Sequence, residues 1–316
     1  MSSPTTARPV VDPSVVPLRH GGRWVAAAAI AVLAVWVIGS MVRNERFGWD
    51  VVGEFLFSEQ VLRGLANTVL LTVVAMVVGI ALGTLVAVGR MSDNPIVSRG
   101  AWLFAWFFRG TPAIVQLLFW FFLAALVPVL GVGIPFGPTF FQVETNSVIG
   151  PFTAAILGLG LNEAAYMSEI VRSGLLSVPA GQREAAKAIG MTTGQSLRRI
   201  VLPQALRIIV PPAGNETIGM LKTSSLVIVI GYSELMTSVS AIYSRNYQTI
   251  SLLVVAAIWY LVLTAVLSVG QYYLERHLGR GLQSRTGARP TPAVATVGTT
   301  NPEASVPTAE TLEVPR

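Results

Sequence analysis

The 316-residue chain contains no cysteine and only two histidines. Without thiols there is no disulfide, no thiolate nucleophile and no thiolate metal site. His20 and His277 lie near the edges of separate apolar segments, which excludes a histidine metal cluster. Charge is scarce too: Asp, Glu, Lys and Arg make up 12% of the chain, against about 25% in soluble domains. No GxxxxGK[ST] run is present, so the chain has no nucleotide-binding loop of its own. With no catalytic constellation in view, the chain does not read as an enzyme. No internal repeat is visible.

Apolar residues fill the space that charge leaves. They make up 53% of the chain, and mean hydropathy is +0.63. Six apolar runs are long enough to cross a membrane. They cover residues 24–42, about 66–89, about 111–127, about 151–173, about 204–231 and about 249–271. Residues 24–42 are too long for a cleaved signal peptide and lack an A-x-A site before Arg43, so they are expected to be an uncleaved anchor. Gly79, Gly83 and Gly89 suit close helix approach in the second span. In the third, Arg109-Gly110-Thr111-Pro112 separates an expected interfacial helix ending near Phe108 from a span beginning at Thr111. Residues 1–23 and 283–316 read as disordered cytoplasmic tails, 43–64 and 128–149 as external loops, and 232–248 as a further external segment. The net charge is +6 and the pI about 10.1, which in a soluble chain would suggest nucleic acid. Here the basic residues flank apolar runs, so positive-inside topology beside anionic lipid accounts for them, with no nucleic acid. Arg43, Arg46, Arg63 and Arg245 fall on the external side and Lys222 inside a span. The other basic residues fall on the side that holds both termini.

The most polar long stretch within this apolar frame runs from Pro179 to Pro212. Pro179 suits a first helical turn. Glu184, Ala185, Ala186, Lys187 and Ala188 favour helix. Gly190 suits a left-handed stop, and Thr192 with Gln195 matches a capping box for the next helix. A second helix follows, wet at Arg198 and Arg199 and apolar by Ile208. Arg172, Arg183, Lys187, Arg198, Arg199 and Arg207 against Glu184 place this loop in the cytoplasm.

The loop resembles the "EAA" loop of bacterial ABC-importer permeases. The match is Glu184-Ala185-Ala186, then Gly190, Ile200 and Leu202-Pro203, each at the family spacing. Arg109-Gly110-Thr111-Pro112, Pro203-Gln204-Ala205-Leu206-Arg207, Pro211-Pro212 with Gly214-Asn215-Glu216, and Leu221-Lys222 before Ser225-Leu226 are similar to the polar amino-acid uptake subfamily. The resemblance spans roughly residues 60–275. It implies an all-α integral membrane protein: a five-helix type I importer core, here 65–275, preceded by one extra transmembrane helix. It also implies that the coupling loop 179–203 docks on a cytoplasmic ABC ATPase dimer through Glu184, Ala185, Ala186, Gly190, Leu202 and Pro203. ATP would bind that partner, and this chain would hold no cofactor itself. Further implied partners are an extracytoplasmic solute-binding protein and a second permease subunit, identical or homologous. The implied location is the bacterial cytoplasmic membrane, with both termini inside. Family members commonly carry an acid after the lysine, where Thr223 stands here, so no role of that acid carries over. The rival for the loop is a surface helix packed only on its own membrane domain.

Ionisable groups inside apolar spans must face a cavity, an interface or a partner. Glu169 lies one turn from Arg172 and reads as a structural pair. Arg109 reads either as a cation snorkelling to the surface or as a brace for the loop. Asn162, Glu163 and Tyr166 cluster near mid-span, as a substrate contact or an interhelical hydrogen bond. Glu216 follows an expected break at Pro211–Gly214. It and Lys222 are pathway candidates or members of structural pairs, but about 240° apart around a helix they cannot pair directly. The expected function is import of polar amino acids driven by a partner ATPase. The alternative is a self-contained channel or proton-coupled carrier.

Overall fold

The computed structural model describes residues 21–134 and 139–279. The expected tail 283–316 and all but the last three residues of 1–23 lie outside the described residues. The chain opens with α1, Gly21–Arg43, so the end of the expected tail is helical. None of the apolar window of α1 is covered by the rest of the chain. The next segment, expected as loop, holds a 3₁₀ turn at Glu45–Phe47 and α2, Trp49–Leu56. Asn44 caps the turn by accepting from the Arg46 amide at 3.0 Å. The apolar face of α2 lies on the last helix, where Trp259 donates its indole N–H to Leu56 O at 2.7 Å.

Helix α3, Glu59–Arg90, has 32 residues, about 48 Å at the α-helical rise and more than a bilayer core needs. A turn leads to α4, Pro95–Gly110, and α5, Ala113–Phe121, whose axes differ by 101°. Thr111 and Pro112 are extended at the break. The expected interfacial helix falls on α4, which also packs on α3. After α6, Leu123–Leu126, the Gly- and Pro-rich segment forms a small antiparallel hairpin, β1 (Val129–Gly133) with β2 (Thr139–Glu144). Branched and aromatic residues such as Val129, Phe140 and Phe141 favour that pairing. Then come α7, Thr145–Val148, and α8, Pro151–Leu176.

The loop end carries α9, Ala180–Ala188, and α10, Thr193–Ser196. A π turn at Leu197–Val201 leads into α11, Leu202–Thr223. The expected break at Pro211–Gly214 is absent: both prolines lie inside a continuous α11. Proline fixes a helical φ, so the helix loses two N–H bonds yet keeps its course. The break falls later, where a 3₁₀ stretch at Ser224–Ile230 ends on left-handed Gly231. Beyond it lie α12, Leu235–Asn246, and α13, Thr249–Gly279.

Among the described residues, by length and apolarity alone, α1, α3 and α13 can cross a membrane, and two bent helix pairs raise the number to five. The sixth expected crossing falls on α8. It is long enough, but Asn162, Glu163, Glu169 and Arg172 lower its apolarity. Among the described residues, buried apolar side chains form three clusters along the bundle. One joins α3, α5, α8 and the 3₁₀ stretch. A second joins α2, α3, α12 and α13 at the hairpin end. The third joins α3, α8 and α11 beside α9.

Candidate transport pathway and coupling loop

The middle of α8 meets the α4–α5 break. Asn162 donates its side-chain amide to Phe108 O at 2.9 Å, and Gln116 of α5 donates to the same carbonyl at 2.9 Å. Gln116 also reaches Thr111 Oγ1 at 2.7 Å. These bonds satisfy the open end of α4 and hold the break in one shape.

A cavity of about 510 Å³ opens beside it. Asn162, Glu163 and Tyr166 line it from α8, and Glu216, Gly219, Met220 and Thr223 from α11. Arg109, Gly110, Thr111, Pro112 and Ala113 close it from the break. Four of the five pathway candidates are therefore brought together. Lys222 is not, because the cavity face of α11 carries residues 216, 219, 220 and 223 while Lys222 is turned outward and exposed.

Glu163 is 3% exposed, and its Oε1 has no hydrogen-bond partner among the described residues. Its stem lies against Gly79 of α3, where an added Cβ would come within 2.5 Å of Glu163 Cγ. Glycine there lets α3 approach α8 and fixes the carboxylate's position. Glu216 is half-buried opposite.

Arg109 lies in the last turn of α4. Its guanidinium lies 5.5 Å from the centre of the Tyr166 ring, with Nη1 3.9 Å from Glu169 Oε2. Glu169 pairs with Arg172 at 2.7 Å, as expected, and also accepts a hydrogen bond from Arg90 at the end of α3. One carboxylate thus joins α3, α4 and α8.

The coupling loop ends α9 in a Schellman motif. Met191 donates to Ala186 O at 3.0 Å and Gly190 to Lys187 O at 2.9 Å, with Gly190 at φ +79°. Thr192 and Gln195 form the reciprocal capping box. Pro179 precedes the first turn rather than lying in it. Glu184, Ala185, Gly190, Leu202 and Pro203 are exposed. Ala186 is not: it is 1% exposed, on a helix that packs on α10 and the π turn. Ile189, which the sequence did not single out, is 76% exposed. Leu202 donates to Leu197 O, five residues back, so the widened turn enters Pro203 without a break in the helix.

Glu234 was also missed. It is fully buried at the start of α12 and accepts from Thr237 N at 2.7 Å, Tyr260 OH at 2.8 Å and Thr68 Oγ1 at 3.3 Å. It falls in the segment 232–248 expected to be external, and two of its donors, Thr68 and Tyr260, are distant in sequence.

Residues 79–280 match the family model described as binding-protein-dependent transport system inner membrane component. The chain is 48% identical over 281 residues to an arginine transport system permease protein of Corynebacterium glutamicum, covering 88% of this chain and 87% of the relative. It is 35% identical over 236 residues to an L-cystine transport system permease protein of Bacillus subtilis, covering 73% and 92%. A solved structure of an amino acid ABC transporter with histidines superposes with a TM-score of 0.59 at 32% identity, covering 69% of this chain and 94% of that one. The chain belongs to the family of inner membrane components of binding-protein-dependent transport systems.

Proposed function

We propose that this protein is the membrane-spanning permease subunit of an ATP-driven importer of polar amino acids, with basic amino acids as its substrates. One observation carries the substrate class: Glu163 and Glu216 face one cavity, and the buried Glu163 oxygen has no partner among the described residues. A cationic side chain would supply the missing charge-assisted bonds. Similarity to a relative named for arginine supports the same class.

ATP acts on a partner ATPase dimer, and this chain binds no cofactor directly. The dimer docks on the exposed face of the coupling loop: Glu184, Ala185, Ile189 and Gly190, with Leu202 and Pro203 beside them. The buried Ala186, the Schellman turn and the capping box make this loop a rigid body. The continuous helix from Thr193 carries its displacement to Glu216, about 35 Å along the axis. A second permease subunit encloses the pathway, and a solute-binding protein delivers substrate at the hairpin end. The location is the bacterial cytoplasmic membrane, with both termini on the α9 side, where the basic residues concentrate.

The test is uptake into proteoliposomes holding the permease, its ATPase and its binding protein, with each polar amino acid supplied in turn. Arginine and lysine uptake should depend on ATP and fall at least about tenfold in Glu163→Gln and Glu216→Gln. Unchanged uptake in both variants contradicts the substrate assignment.

A further inference from the structure

An amino acid is a zwitterion: the cavity shows carboxylates for its cationic groups, and the one cation on its lining among the described residues, Arg109, already faces a ring and a carboxylate. Lys222 is turned away. Arg109 is held between the Tyr166 ring and Glu169. The break between α4 and α5 offers something else. Helix α5 has nine residues, and its first turn opens on the cavity through Thr111, Pro112 and Ala113. The first bonded amides of that turn are those of Val115 and Gln116, both to Pro112 O. The amides of Ala113 and Ile114 have no acceptor among the described residues. A helix N-terminus with free amides favours a carboxylate.

A second observation, independent of the helix end, shows that this cavity is built for a ligand: the buried, unpartnered Glu163 oxygen on its α8 wall. The two features have opposite polarity, as a zwitterion requires. The geometry points to the N-terminus of α5, where the Ala113 amide meets the cavity, as the site that holds the α-carboxylate of the transported amino acid. This assignment rests on the amino-acid importer function proposed above, but not on the side chain being basic. Asn162 and Gln116 are positioning residues, since they lock the break through Phe108 O and Thr111.

Position 113 allows a clean test. It is the first helical residue, where proline is tolerated, and Pro112 before it is already extended at ψ 137°. Ala113→Pro therefore deletes one N–H and keeps the helix. The experiment measures ligand binding to the intact transporter complex in nanodiscs without binding protein. Radiolabelled substrate is displaced by arginine, argininamide, glutamine and glutaminamide. Each carboxamide keeps the size of its parent and loses the negative charge. The wild-type complex should bind the acid about tenfold more tightly than its amide. Ala113→Pro should shrink that preference to about twofold, while Ala113→Gly, which keeps the amide, retains it.

Equal binding of acid and amide in the wild type overturns the assignment. So does a preference that survives Ala113→Pro but vanishes in Arg109→Gln, which would hand the carboxylate to Arg109. If Ala113→Pro fails to assemble, the wild-type and Arg109→Gln comparisons still decide. Binding of glutamine but not arginine sinks the basic-substrate proposal alone, and the glutamine pair then judges the carboxylate site.

Discussion

Asn162, halfway along α8, donates to the carbonyl of Phe108 at 2.9 Å and so ties the centre of one helix to the broken end of another. Gln116 shares that carbonyl, so Asn162→Leu leaves it half satisfied rather than orphaned. The expected loss of stability is about 1 kcal/mol, with a larger fall in uptake because the break bounds the cavity. Thermal unfolding and initial uptake rates measured together check this. A variant that loses stability and uptake in proportion would make Asn162 a packing residue only.

Gly79 lies against the stem of Glu163 with no room for a methyl group. Gly79→Ala should therefore cost about 1–3 kcal/mol and displace the carboxylate. Gly100, where an added Cβ would meet nothing within 4 Å, is the control, and Gly100→Ala should leave stability unchanged or slightly raised. Denaturation midpoints of the two variants in one detergent make the comparison.

Glu234 joins three helices, accepting from Thr68 on α3, Thr237 on α12 and Tyr260 on α13. Tyr260→Phe removes one bond to the buried carboxylate and should cost about 1.5–3 kcal/mol. Because Thr68 and Tyr260 share one acceptor, Thr68→Val with Tyr260→Phe should be non-additive. A double-mutant cycle of unfolding free energies measures the coupling, and strict additivity would contradict a shared network.

The coupling loop has two faces that should respond differently. Ile189→Asp and Glu184→Lys change the exposed face, so stability should stay within about 0.5 kcal/mol while substrate-stimulated ATP hydrolysis by the complex is lost. Ala186→Leu overpacks the buried face and should lower stability by about 1–3 kcal/mol. Unfolding midpoints beside ATPase rates separate the two.

Local features of this fold were legible in the sequence. Gly190 is left-handed where a helix stop was expected, the Thr192–Gln195 box closes, and the Arg109–Pro112 stretch breaks the chain. Each depends on residue types a few positions apart. What escaped depends on distant partners. Glu169 showed its pairing with Arg172, but its bond to Arg90 crosses 79 positions. Glu234 lies in the expected external segment 232–248, and its donor Thr68 lies 166 residues away. The inward turn of Ala186 follows from packing, which helical periodicity in so short a helix does not fix. Pro211 and Pro212 misled because proline's fixed φ is also a helical one.

The most direct test of the central claim is transport by the reconstituted assembly. The permease is placed in liposomes with its ATPase and binding protein, and labelled arginine uptake is followed with ATP inside and no ion gradient. The account predicts accumulation that requires ATP hydrolysis and stops when the ATPase is inactivated. Accumulation by the permease alone, driven by a proton gradient and indifferent to ATP, would contradict it and make the protein a self-contained carrier.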